Sequence, residues 1–184
     1  MIGEYDDKDG QMLIKLARDT IQAGFTNEEV KMPPEARFKQ ARGVFVTLHK
    51  NGQLRGCIGL PYPSNAVADA VVEAAKSAAF EDPRFPPVSE GELKDIEIEI
   101  SVLTPPVKCV AKDVNVGRDG LMCEFHGYTG LLLPQVATEH GMDRVQFIEA
   151  LCQKASLPKD AWQKEGFKLQ KFQAQIFKEE NEDN

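Results

Sequence analysis

No stretch of this 184-residue chain approaches the ~18 consecutive apolar residues that a membrane-spanning helix needs, so no such span is expected. The opening residues, MIGEYDDKDG, are acidic rather than basic-then-apolar, which argues against a secretory signal. Paired cysteine spacing is also missing. The four cysteines, at 57, 109, 123 and 152, form no disulfide framework, and a chain of this length needs none. These absences point to a reducing, cytoplasmic compartment. No basic stretch interleaved with aromatics is present, so neither nucleic acid nor a membrane surface is an expected partner. The formal charge of −7 sits in the ends. Residues 1–10 and 178–184 contribute −3 each, leaving about −1 for the middle, and the acidic tail 178–184 reads as disordered. There is no low-complexity segment and no strong internal repeat.

What remains is an ordinary globular composition, 42% hydrophobic and 28% charged, sized for one domain of one or two lobes. Leu13, Leu16, Ala17 and Ile21 recur at helical spacing and predict a helix over 9–23, capped by Asp9. GVFVTLHKNGQLRGCIGL (43–60) reads as a hairpin around Asn51-Gly52, the pair a type I′ turn requires. A helix over 64–80, rich in alanine and capped by Ser64, follows. Next come a proline-rich loop and a capping box from Ser89 to Glu92. DIEIEISVL alternates, with Ile96, Ile98, Ile100 and Val102 on a dry face and Glu97, Glu99 and Ser101 on a wet one. Beyond it, 114–116, 121–126 and 130–133 read as short strands. Residues 135–140 and 143–154 read as helices, the second capped by Asp143. Residues 167–177 read as a closing strand whose apolar parity shifts between Leu169 and Phe172, as at a bulge. Hairpins separated by helices, without crossover signals, favour an α+β fold of mostly antiparallel strands.

The segment QLRGCIGLP (53–61) carries the pointed chemistry. Counting back from an Asn51-Gly52 turn sets Val46 opposite Cys57 and Leu48 opposite Arg55. Arg55 and Cys57 then share a face, roughly 6.5–7 Å apart at their Cα atoms. A guanidinium at that range would make Cys57 a better nucleophile. Gly56 and Gly59 would let a ligand or another backbone come close. The alternative is that Cys57 packs as a small hydrophobe and the glycines ease contact with the alanine-rich helix.

A thiol nucleophile wants a histidine partner, and the candidates are His49, His126 and His140. In the register above, His49 faces away from Cys57. His140 stands at a helix end, and His126 could approach only through the fold. No metal site is expected: Cys123 and His126 have C-x-x-H spacing but point opposite ways on a strand, with no second half-site. GCIG matches a GxxG loop only in letters, and no P-loop or other cofactor motif is present. Glu97 and Glu99 share the wet strand face, where they read as solvated, as an acid–base pair or as partners for Arg55. Asp82 and Arg84 are held in a proline-restricted loop that reads either as a plain turn or as a rim for an anionic ligand.

LRGCIG (54–59), DPRFPPV (82–88), IEISVLTPP (98–106), GLLLPQVATEHG (130–141) and DAW (160–162) together resemble the AMMECR-type proteins. That family takes its name from the Alport syndrome, intellectual disability, midface hypoplasia and elliptocytosis chromosomal region. The resemblance runs in order from about Leu13 to Phe177. It implies one domain over 1–184, ordered from about 9 to 177, made of two closely packed lobes with the hexapeptide near a cleft between them. It implies no settled reaction. Members are often encoded with, or fused to, a Memo-like protein and a radical S-adenosylmethionine protein, and the wording of this chain resembles the archaeal branch. Many relatives read Gly-x-His-Gly where this chain has Gly117-Arg118-Asp119-Gly120, so a catalytic histidine there is missing. The resulting expectation is a small-ligand or protein-partner site at Arg55, Gly56, Cys57, Gly59, Asp82 and Arg84, with no cofactor. The competing expectations are an enzyme with Cys57 as its nucleophile, activated by Arg55, and a scaffold with no chemistry.

Overall fold

The computed structural model describes residues 4–26 and 28–180. In chain order the elements are α1 (Asp7–Thr26), β1 (Gly43–Lys50), β2 (Gln53–Leu60), α2 (Val67–Phe80), β3 (Ile96–Leu103), β4 (Val107–Lys108), β5 (Gly120–Phe125), β6 (Tyr128–Leu132), α3 (Pro134–Glu139), α4 (Arg144–Lys154), β7 (Lys168–Phe172) and β8 (Ala174–Lys178). The strands form two four-stranded sheets, ordered β2-β1-β3-β8 and β4-β7-β5-β6. The expected α+β class with antiparallel strands is what the structure shows. Contacts divide the described residues into two compact units, one formed by residues 4–103 with 175–180, the other by Thr104–Ala174. No helix among the described residues is long and apolar enough to cross a membrane.

In the first unit, α2 packs on β1 and β2, while α1 packs on α2 and β3. Val44, Val46 and Leu48 from β1 and Ile96, Ile98 and Ile100 from β3 form the dry side of the sheet, beneath Leu13, Leu16, Ala17 and Ile21 of α1. The α2 alanines at 70, 74, 75, 78 and 79 are also buried there. Small side chains let a helix lie close to a sheet. That closeness is measurable at Gly56, where an added Cβ would stand 2.3 Å from the carbonyl oxygen of Ala78.

Two caps differ from the sequence reading. Helix α1 begins at Asp7, and its start is closed by Asp6, whose carboxylate accepts the Asp9 N–H at 2.8 Å while Asp9 accepts the Asp6 N–H at 3.1 Å. Asp9 therefore lies inside the helix, one residue of a reciprocal pair. Helix α2 begins at Val67 with Ala66 before it and no side-chain cap, because Ser64 turns its hydroxyl to the carbonyl of Tyr62.

The second unit has its own core of Val114, Leu121, Cys123, Ala137, Phe147, Ile148, Leu151 and Leu169. Asp143 caps α4 in a capping box with Gln146, as its spacing predicts. Residues 114–116 do not form a strand; a short 3-10 turn over Ala111–Asp113 leads instead into irregular chain. The closing strand is really two, β7 and β8, which join different sheets on either side of Gln173. The expected bulge between Leu169 and Phe172 is absent: β7 pairs with β5 without a shift, and the change of apolar parity reflects burial on both of its faces. The acidic tail also starts later than expected. Lys178 ends β8, and Glu179 accepts the Ile98 N–H and pairs with Arg18. Residues 181–184 of that expected tail lie outside the described residues.

Candidate functional site

Asn51 and Gly52 both have positive φ, 52° and 73°, as a type I′ turn demands, and Lys50 pairs with Gln53 as expected. Then the register slips. His49 pairs with Leu54, but Leu48 pairs with Gly56, leaving Arg55 as the extra residue of a bulge. Without that insertion Arg55 itself would sit beside Leu48 beneath α2, where the Ala78 carbonyl leaves no room for a side chain. The bulge brings glycine to that place.

One residue of slip exchanges the faces of everything beyond it. Cys57 pairs with Thr47 rather than Val46, so it lies on the face away from the helices. The Thr47 hydroxyl donates to the Cys57 sulfur at 3.3 Å. Arg55 stays on the helix side. Its Nε and Nη2 donate to the Glu92 carboxylate at 3.1 and 3.2 Å, and Nη2 also reaches the Pro87 carbonyl at 3.3 Å. Lys50, on the same face, donates to Glu92 at 2.9 Å. The expected pairing of Arg55 with Cys57 on one face is therefore corrected: the Arg55 side chain, only 12% exposed, ties the 87–92 loop to the hairpin. Arg55, Ser89 and Lys50, in that order, hold the Glu92 carboxyl well below the usual carboxylate range.

The cation that does stand at Cys57 is Arg84. Strand β2 is an edge strand, and the outward N–H and C=O of Cys57 have no neighbouring strand to meet. The 82–84 loop supplies both partners. Asp82 accepts the Cys57 N–H at 2.9 Å, and Arg84 Nη2 donates to the Cys57 carbonyl at 2.9 Å. Asp82 also grips Arg84 along a fork, Nε at 2.9 Å and Nη2 at 2.7 Å, and accepts the Arg84 backbone N–H at 3.0 Å. The Asp82 side chain is 1% exposed and that of Arg84 is 53% exposed. The Arg84 hydrogen bond, foremost, and those from the backbone push the Asp82 carboxyl well below its ordinary value against the opposing effect of burial. Arg84 is correspondingly raised, chiefly by Asp82, with the Cys57 thiol acting in the same direction. Arg84 Nη1 makes no hydrogen bond among the described residues, and the guanidinium lies 5.6 Å from the Phe85 ring centre.

The two motif glycines are packing positions in this arrangement. Gly56 admits the Ala78 carbonyl, and a Cβ on Gly59 would strike the Phe45 ring at 2.2 Å. Cys57, Asp82 and Arg84 are thus brought together directly, with Gly56 and Gly59 beside them in β2. Thr47 escaped the sequence reading, because a bulge without a compositional mark decided its face; Glu92 forms the expected capping box with Ser89, but its pairing with Arg55 and Lys50 was not legible.

His49 changes sides relative to Cys57. Directly opposed residues share a face, and alternate residues of β1 share one too, so Thr47, His49 and Cys57 lie together on the face away from the helices. Across β1 on the other side, Thr47 pairs with Glu99 and His49 with Glu97. Glu97 is exposed, whereas Glu99 is half-buried and lies 3.4 Å from Lys178. His126 and His140 belong to the second unit. His126 has φ 48° in the β5–β6 turn, its ring centre 4.1 Å from that of Phe125, and His140 ends α3. No group of three or more metal-ligating side chains that could hold an ion occurs among the described residues. Asp119 is a buried acceptor for Asn115, Arg118 and Gln173.

Comparison with known proteins agrees with this architecture. The AMMECR1 family model matches residues 14–177. A Methanothermobacter thermautotrophicus protein is 46% identical over 182 residues, covering 94% of this chain and 95% of the relative. A Thermococcus onnurineus protein is 44% identical over 188 residues, covering 95% and 92%. The crystal structure of an uncharacterised Pyrococcus horikoshii protein superposes with a TM-score of 0.88 at 41% identity, covering 96% of this chain and 94% of that one. With motif order, sheet topology and archaeal relatives all in agreement, this chain belongs to the AMMECR1 family.

Proposed function

We propose that this chain is a cytoplasmic binding protein for a small anionic molecule, received where Cys57 meets Arg84. One observation carries the reading: a half-exposed guanidinium is fixed by a buried carboxylate and keeps Nη1 unengaged beside a thiol. A flexible surface arginine must be ordered when it binds a ligand, whereas this one is ordered already, which lowers the entropic cost of binding. Guanidinium geometry suits a carboxylate or a phosphate. An accessory role beside a Memo-like and radical S-adenosylmethionine system is part of the same proposal.

A thermal-shift screen of small carboxylates and phosphates tests this. At least one should raise Tm in proportion to the logarithm of its concentration, and Arg84→Gln, checked for fold by circular dichroism, should abolish the rise. Arg84→Lys, which keeps the charge, guards against loss of fold and should retain a weaker shift. Stabilisation that persists in Arg84→Gln, or no stabiliser among the compounds, would sink the proposal.

A further inference from the structure

The bulge at Arg55 places Cys57 on the same sheet face as Thr47 and His49. Thr47 donates its hydroxyl to Cys57. His49 stands two residues along β1 from Thr47, on the same sheet face as Cys57 and diagonal to it across the bulge. The imidazole makes no hydrogen bond among the described residues, so neither ring nitrogen is committed. Glu97 lies directly across from His49 on β3. Arg84, at the open edge of β2, is the fixed cation.

We propose that Cys57 and His49 are a nucleophile and general base that take an acyl group from an activated ester or thioester carrying a second, free carboxylate. The proposal rests on the binding reading above, since Arg84 Nη1 would receive that carboxylate. His49 takes the proton from the Cys57 thiol, and the sulfur attacks the acyl carbon. The bond to the leaving oxygen or sulfur then breaks, and the leaving group recovers the proton from His49. The acyl group remains on Cys57 as a thioester, with no oxidant, metal or cofactor needed to balance the step. Catalytic hydrogen bonds are often long before substrate arrives, which suits a diagonal pair that closes on binding. Glu97 and Glu99 face this pair from β3 and disfavour a second anion there, whereas Arg84 favours one on the β2 side. The preferred substrate is therefore acidic at one end only.

The probes are mono-4-nitrophenyl succinate and 4-nitrophenyl acetate, with intact-protein and peptide mass spectrometry as the readout. Cys57 should be the acylated residue, and Cys57→Ser should remain unlabelled. The acidic ester should acylate about tenfold faster than the neutral one, equivalent to about 1.4 kcal/mol in the barrier. His49→Asn should slow both esters by about a hundredfold, the lower end of general-base effects. Methyl methanethiosulfonate, already an activated reagent, should still label Cys57 in His49→Asn, and an unchanged circular-dichroism spectrum and Tm should show that the variant remains folded. Equal acylation in wild type and His49→Asn, or a label elsewhere than Cys57, overturns the pair while leaving the binding reading intact. An acidic ester no faster than the neutral one overturns the carboxylate preference and the role of Arg84 with it.

Discussion

The Asp82 carboxylate accepts the backbone N–H of Cys57 at 2.9 Å, while the arginine it grips donates to the carbonyl of that same residue. Two side chains thereby stand in for the strand that edge strand β2 lacks, and they satisfy both outward backbone groups at the centre of the motif. An unpaired edge is a site for unwanted pairing, and a local cap of this kind closes it at one residue.

Asp82→Ala should be costly. It removes an acceptor of four donated hydrogen bonds and leaves the Cys57 N–H without its partner. A loss of about 2–3 kcal/mol in urea denaturation is expected, the scale of hydrogen bonds to a charged group. A loss under 0.5 kcal/mol would mean that the clamp contributes nothing to folding.

Gly56→Ala and Gly59→Ala should differ. At Gly56 the obstacle is the α2 backbone, which cannot move without the helix; at Gly59 it is the rim of the Phe45 ring, which can turn. We expect about 2–3 kcal/mol of destabilisation for the first, and less for the second, by calorimetry. The reverse order would show that the helix-to-strand approach at Ala78 is not tight.

Arg55→Met should separate the two arginines. Stability should fall by about 2 kcal/mol through the Glu92 hydrogen bonds, while the iodoacetamide rate of Cys57 stays within about twofold of wild type, since the guanidinium lies on the other face. Arg84→Lys should change that rate. A large effect from Arg55 with none from Arg84 would contradict the observed register.

Asp119 makes an acid-stability prediction. Burial on its own would raise its pKa, but the Asn115 backbone and side chain, Arg118 and Gln173 outweigh it and hold the carboxyl at about 2. The native state therefore binds fewer protons than the unfolded chain between about pH 4 and pH 2. The contribution is fully present above the unfolded value and is lost as pH falls through the native one. Asp119→Asn should flatten the acid limb of the stability–pH curve, measured by urea midpoints from pH 5 to 2. An unchanged limb would remove Asp119 from the account. Asp119→His should destabilise this chain, because an imidazole cannot accept from all the surrounding donors.

Local signals along the chain were sufficient for much of the architecture. Asn-Gly between β-branched runs specifies a type I′ turn wherever it occurs, the alternation of Ile96, Ile98 and Ile100 specifies a strand, and Asp143 with Gln146 specifies a helix start. Motif order along the chain was enough to identify the family. These are short-range or linear properties, and a sequence states them directly. The faces of β2 are another matter. Whether Arg55 or His49 accompanies Cys57 turns on one inserted residue, and that insertion is decided by a helix carbonyl at Ala78, more than twenty residues along the chain. The same holds for the division of residues 167–177 between two sheets, since alternation shows that a strand exists without showing its partner. Side-chain period along a strand is local, but register is a contest between a turn at one end and packing at the other, and only the folded chain resolves it.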